Sequence, residues 1–156
     1  MKLGILAVGH KLPEWVAKGC AEYVKRMPRE LPLGVLEIKP EPRGSKTREQ
    51  LLTAEKSRLL AALHGYQRIV ILDEKGDDLN TLKLAQRLED WMREGGDTAF
   101  IIGSADGIDE ELKQRAQDTI RLSSLTLPHA MARLILCEQL YRAVSVIKNH
   151  PYHREG

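Results

Sequence analysis

RIVILDEKGDDLNTLKLAQRLEDWMREGGDTAFIIG, residues 68–103, contains a complete strand–helix–strand unit. Arg68–Asp73 (RIVILD) is the strongest strand in the chain, a short apolar run of β-branched residues with a polar loop behind it. Asp73 to Asp78, with Gly76 inside, reads as that loop. Asn80 or Thr81 caps a helix that places Leu84, Leu88 and Trp91 at i, i+4 and i+7, one face of a 3.6-residue period. Gly95-Gly96 closes it, Thr98–Ile102 (TAFII) is the next buried strand, and Gly103 ends that strand.

The same alternation extends in both directions. Towards the N-terminus, Leu3–Val8 is a buried strand ended by Gly9. Pro13 suits the first turn of a helix, where a missing N–H costs nothing. That helix reaches about Arg26, with Trp15, Val16, Gly19, Tyr23 and Met27 expected on its inner side. Leu33–Lys39 alternates as a strand and stops at Pro40 and Pro42. The basic segment Glu41–Lys46 (EPRGSK) is the candidate for a mobile flap. Thr47 and Gln50 have capping-box spacing, and a helix with Leu51, Leu52, Leu59, Leu60 and Leu63 runs to His64-Gly65. Towards the C-terminus, Asp109 begins a polar helix to about Gln117, and Thr119–Leu122 is a fifth short strand. Five β-α alternations predict an α/β fold, a parallel sheet with helices on both faces, in a single domain over residues 1–156.

Composition narrows the function class. The chain has 42% hydrophobic and 29% charged residues, ordinary for a globular domain. No apolar run is long enough to span a bilayer; the longest, from Ala130 to Ile147, is interrupted by Arg133, Glu138 and Arg142, so no membrane role is expected. The N-terminus reads as a first strand rather than a signal peptide. Cys20 and Cys137, far apart in helical patterns, read as buried small hydrophobes in a reducing cytosol. A net charge of +2 is too small to argue for nucleic acid by itself. No G-x-G-x-x-G, Walker A or C-x-x-C sequence occurs, and His150 with His153 lacks further ligands, so no metal is expected.

In open parallel sheets ligands bind beyond the carboxyl ends of the strands. Three such ends are notable: Leu72-Asp73, the turn Gly103–Gly107, and the polar loop Ser123–Pro128. Glycines permit close backbone approach, and Ser123, Ser124 and Thr126 add hydroxyls, a wall suited to an adenine and a ribose. The helix that follows is apolar nearly all round, which predicts a two-fold interface in a domain this small. Glu138 and Arg142 sit at i, i+4 on it. The tail adds Lys148, His150, Tyr152, His153 and Arg154, stacking planes and cations fit for RNA.

LSSLTLPH (residues 122–129), then EQLYRA (138–143), then NHPYHRE (149–155) resembles the RlmH family of 23S rRNA pseudouridine N3-methyltransferases. The similarity covers the whole chain, including the opening KLGILAVGHKLPEWV, RIVILD and the IIG turn. It implies a SPOUT methyltransferase fold with a C-terminal trefoil knot, a cytoplasmic homodimer, S-adenosyl-L-methionine as methyl donor, and 23S rRNA in the assembled ribosome as substrate. It further implies that Leu72, Gly103, Leu122, Ser123, Ser124, Leu125, Thr126 and Leu127 hold the cofactor, and that His129, Glu138, Arg142, Tyr152, His153 and Arg154 lie near the substrate. One departure is visible: Ser104 stands where the family usually has a second glycine. That departure points to one alternative, a non-catalytic ribosome- or RNA-binding factor on the same scaffold; a second, another nucleotide-binding α/β enzyme, is opposed by the missing G-x-G-x-x-G.

Overall fold

A computed structural model describes residues 1–154. Its elements are β1 (Leu3–Val8), α1 (Glu14–Arg26), β2 (Leu33–Ile38), α2 (Arg48–Ala62), β3 (Arg68–Asp78), α3 (Thr81–Glu94), β4 (Thr98–Ile102), α4 (Glu110–Arg115), β5 (Asp118–Arg121) and α5 (His129–Ile147), followed by a 3₁₀ turn at Pro151–Arg154. Glu155 and Gly156, the end of the C-terminal motif, lie outside the described residues.

The five strands form one sheet in the order β2-β1-β4-β3-β5, with every pairing parallel. Side chains alternate across it. Leu3, Ile5, Ala7, Val70, Phe100 and Ile102 point to one face, which α1, α3 and α5 cover. Leu6, Val8, Ile71 and Ile101 point to the other, covered by Leu59 and Leu63 at the end of α2 and by Ile108 and Leu112 around α4. The central strands β1 and β4 are buried along their whole length, as double coverage requires.

The helix boundaries follow from local chemistry. Thr47 and Gln50 form the reciprocal capping box, and Asn80 rather than Thr81 accepts from Lys83 N–H at the start of α3. The Asp109 carboxylate takes the first N–H groups of α4, which stops at Arg115, two residues short of the expected Gln117. Cys20 and Cys137 are free and buried between α1 and α5. The neighbouring Cys20 thiol, then burial, push the Cys137 thiol up.

Three expectations are corrected. The loop from Asp73 to Asp78 is part of β3, which pairs with Ile120 at Leu72, bulges, and pairs with it again at Asp77. Gly76 permits this, because a Cβ there would lie 2.5 Å from the Ile120 carbonyl carbon. Trp15 is 62% exposed, so only Val16 and Cys20 of α1 are fully buried. The segment 41–46 is tied down: Arg43 pairs with Asp106, Glu41 with Arg58 and Lys46, and Glu41 N–H donates to Glu55 at 3.0 Å. Helix α5 lies between α1 and α3 over the sheet, and none of its residues is exposed. Leu134, Ile135 and Tyr141 among others are only half-buried, so part of its apolar surface still faces outward.

Candidate active site

The bulge of β3 and the carboxyl ends of β4 and β5 open onto a cleft of about 910 Å³. All eight residues expected to hold a cofactor line it: Leu72 from β3, Gly103 after β4, and Leu122–Leu127 after β5. They converge because parallel pairing in register brings Ile71 beside both Ile101 and Thr119, so the bulge of β3 and the ends of β4 and β5 share one rim. Gly103 has no room for a side chain; a Cβ would meet Ile108 Cγ1 at 2.5 Å and Gly107 O at 2.6 Å. Leu125 is 75% exposed at the lip, and Ser123 Oγ accepts from Leu125 N–H at 2.9 Å, which sets the loop's turn.

The cleft also contains charges that strand-end reasoning passed over. Asp73 pairs with Lys113 at 2.9 Å. Burial pushes the Asp73 carboxyl up, but the bonds from Lys113 and Lys75 N–H outweigh it and hold it below the usual carboxylate range. Arg121 grips Asp78 through two nitrogens, at 2.5 and 2.6 Å. The only signal for these in sequence is their position next to strand ends.

Ser104 has a defined role in this chain. Its hydroxyl donates to Glu55 Oε1 at 2.8 Å, while Glu55 Oε2 takes the Glu41 N–H. Glu55 is only 4% exposed. A buried carboxylate needs such donors, and the family's glycine could not supply this one. Arg48 Nε donates to Asp106 O at 3.0 Å, so the turn is held from two directions.

Of the residues expected near the substrate, His129 stands apart. It begins α5 and lines a second cavity of about 680 Å³. Its Nε2 accepts from Arg133 Nε at 2.9 Å, and the remaining ring N–H meets the Gly103 carbonyl. Burial, then the Arg133 charge, hold its pKa below the usual imidazole value. His129 is therefore a neutral bridge between the glycine turn and α5, with both nitrogens occupied. Arg133, the residue that fixes it, was legible only as an interruption of an apolar helix. It is fully buried; Nη2 donates to His10 O at 3.3 Å, and Nη1 sits 3.4 Å from Glu37 without hydrogen-bond geometry.

The other five gather at the far end of α5. Glu138 Oε2 accepts from Arg142 Nε at 3.0 Å and from Tyr152 Oη at 2.8 Å, and Oε1 accepts from Gln139 at 2.7 Å. Tyr152 has one proton, and the carboxylate at 2.8 Å is the stronger acceptor, so Tyr23 donates to Tyr152 Oη across 3.2 Å. Burial, then these two partners, push the Tyr152 pKa well above the usual phenol value. The ring packs edge-on against Tyr141 with centroids 4.7 Å apart, and the Arg142 guanidinium lies 4.9 Å from its centre. Arg142 Nη1 reaches His153 O at 3.4 Å, and Arg154 Nη2 donates to Asn149 at 3.2 Å. His153 Nδ1 is buried with no hydrogen-bond partner among the described residues. The tail is thus docked, not frayed. The tail folds back along α5 as far as Glu138, in the middle of the helix, while the cofactor loop precedes the helix start.

Among the described residues no helix is long and apolar enough to cross a membrane, and no group of three or more His, Cys, Asp or Glu could hold a metal.

Comparison with known proteins matches this arrangement to a family. The family described as "Predicted SPOUT methyltransferase" matches residues 1–153. The ribosomal RNA large subunit methyltransferase H of Dechloromonas aromatica is 72% identical over 156 residues, the whole of both chains. Its namesakes from Burkholderia thailandensis and Nitrosospira multiformis are 56% and 55% identical, each over 99% of both chains. The fold is shared with a probable methylase family protein of Haemophilus influenzae, with TM-score 0.56 and 13% identity, covering 97% of this chain and 69% of that one. TrmJ from Z. mobilis shares it too, with TM-score 0.53 and 14% identity over 90% of this chain and 69% of its own.

Proposed function

The chain belongs to the SPOUT methyltransferase family, and on that premise we propose that it methylates N3 of a pseudouridine in 23S rRNA, on the assembled ribosome in the cytoplasm, with S-adenosyl-L-methionine as donor. The observation that carries the reading is the convergence of Leu72, Gly103 and Leu122–Leu127 on one cleft. Its volume suits a nucleoside-sized ligand. Apolar Leu72, Ile102, Leu122 and Leu127 offer faces for an adenine, and the Ser123, Ser124 and Thr126 hydroxyls offer partners for a ribose. The donor, when bound, supplies a sulfonium-activated methyl group. The named relatives are ribosomal RNA methyltransferases, which supports the substrate class.

What remains for the protein is to orient the acceptor nitrogen, exclude water and see the N3 proton leave. His129 is unsuited to accept that proton, because both of its ring nitrogens are engaged. His153 is the alternative acceptor, and it would act through Nε2, because its Nδ1 is buried. Tyr152 and Arg142, fixed by Glu138, orient the tail.

The tail packs on Glu138 and Arg142 of α5 and lines neither the cofactor cleft nor the second cavity of its own chain, so this reading completes the site with the tail of a second copy. We propose a homodimer with composite sites, the C-terminal segment threaded in the family's trefoil knot. The modest net charge of +2 fits a protein that relies on a preformed ribosomal surface rather than on naked RNA.

Mass spectrometry of 23S rRNA from a deletion strain, with and without the gene restored, tests the activity: N3-methylpseudouridine should vanish and return. Persistence of the mark in the deletion strain would overturn it. Mixing a Gly103 variant with a Tyr152 variant tests the composite site, since mixed dimers should regain activity that neither variant has alone. Failure of rescue when the two variants co-assemble rules it out.

A further inference from the structure

We infer that the second cavity is a subsite for a nucleotide flanking the acceptor in the same RNA strand. The inference rests on the proposed activity and assigns a surface which that reading leaves unused.

The cavity lies beyond the carboxyl ends of β1 and β2 and holds about 680 Å³, room for one nucleotide. It shares the turn Ser104–Asp106 with the cofactor cleft. The backbone of that turn therefore separates an occupant here from the donor. Methyl transfer requires the reacting atoms to touch, so the occupant is a neighbour of the acceptor and not the acceptor itself.

The lining has the chemistry of a nucleotide site. Leu12, Pro13, Pro40 and Ala130 supply apolar walls for a base. Lys11 and Lys39 stand on the cavity, exposed, with no ion pair among the described residues. Of the acids around them, Asp106 is paired with Arg43 and Glu41 with two cations, Arg58 and Lys46, while Glu55 is held by neutral donors, the Ser104 hydroxyl and Glu41 N–H, and keeps its charge. With Lys11 and Lys39 unpaired and two cations on Glu41, the balance stays positive even against Glu55, which favours an anion over a neutral molecule, and the apolar walls beside it favour a nucleotide phosphate. Exposed Trp15 lies two residues after Pro13, in the first turn of α1, and offers an aromatic plane for a further unstacked base. The latched segment 41–46 forms one bank of the cavity, so the site is built before RNA arrives.

Two measurements test it. In the first, the protein saturated with S-adenosylhomocysteine is titrated with uridine 5′-monophosphate and followed by amide NMR. Shifts should concentrate at Gly9–Leu12 and Lys39–Arg43. No shifts, or shifts confined to residues 122–127, overturn the inference, as does a response to an acidic peptide but not to the nucleotide. The second uses the Lys11→Glu/Lys39→Glu double variant. Its S-adenosylhomocysteine affinity should match wild type, while its KM for ribosomes rises about tenfold and the salt dependence of binding becomes shallower. An unchanged KM overturns the inference. If the wild-type protein methylates no ribosome, the proposed activity fails, and the nucleotide titration still decides the subsite.

Discussion

Arg133 donates its Nε–H to His129 Nε2 across 2.9 Å, one helical turn away on α5, and the pair joins the glycine turn to the rest of the fold. Gly9 makes room for it: a Cβ there would lie 2.7 Å from His129 Nε2 and 2.9 Å from Arg133 Nη2. The pair sets a pH dependence. His129 binds its proton less readily when folded than unfolded, because burial and Arg133 depress its pKa. The stabilisation from the neutral ring is therefore full above about pH 6.5 and is lost as pH falls from there towards the folded-state pKa. Urea midpoints should decline in that window, and His129→Asn should flatten the decline. A slope identical in the variant would place the acid sensitivity elsewhere.

Replacing Arg133 by Ala should cost several kcal/mol, roughly 3–5, because it removes a fully buried guanidinium and strands the groups it serves. Arg133→Met, which fills the volume without a charge, should cost less. Equal losses in thermal unfolding would show that volume, not the bridge, matters.

Gly103→Ala should weaken S-adenosylhomocysteine binding by more than tenfold. A methyl group there meets Ile108 and Gly107 at 2.5–2.6 Å, inside contact distance, so the turn that walls the cleft must move. Calorimetric titration reads the affinity, and wild-type affinity in the variant would mean that the turn adjusts freely.

Ser104→Gly restores the residue the family usually carries and removes one donor to buried Glu55. Stability should fall by about 1–3 kcal/mol, with cofactor affinity retained within about threefold, since the backbone N–H stays. Chemical denaturation and calorimetry separate the two effects. A large loss of affinity at unchanged stability would contradict this division.

Glu138→Gln should release the tail. It replaces the carboxylate that receives Tyr152 and Arg142 with an amide that serves both poorly. Amide exchange at residues 149–154 should rise, and methylation should drop at least tenfold, with cofactor binding unchanged. Protection of the tail at wild-type level would show that the aromatic contacts with Tyr141 suffice.

The β-α alternation, the caps at Thr47 and Asn80, and the three segments that wall the cleft were all legible in the sequence by itself. These are local: hydrophobic period, capping chemistry and strand polarity are set by residues a few positions apart. The full length of β3 was not legible, because residues past Asp73 are held by Ile120 and Arg121 of another strand. Nor was the anchoring of segment 41–46, whose basic, glycine- and proline-containing composition reads as mobile until Asp106 and Glu55 are seen to grip it. The sequence likewise marks α5 as apolar all round, but only packing decides whether a partner or the chain's own α1 and α3 cover it. The same holds for His129 and Arg133: their i, i+4 spacing is visible, yet their roles depend on Gly9, His10, Glu37 and Gly103, brought together by parallel strands whose order across the sheet differs from their order in the chain.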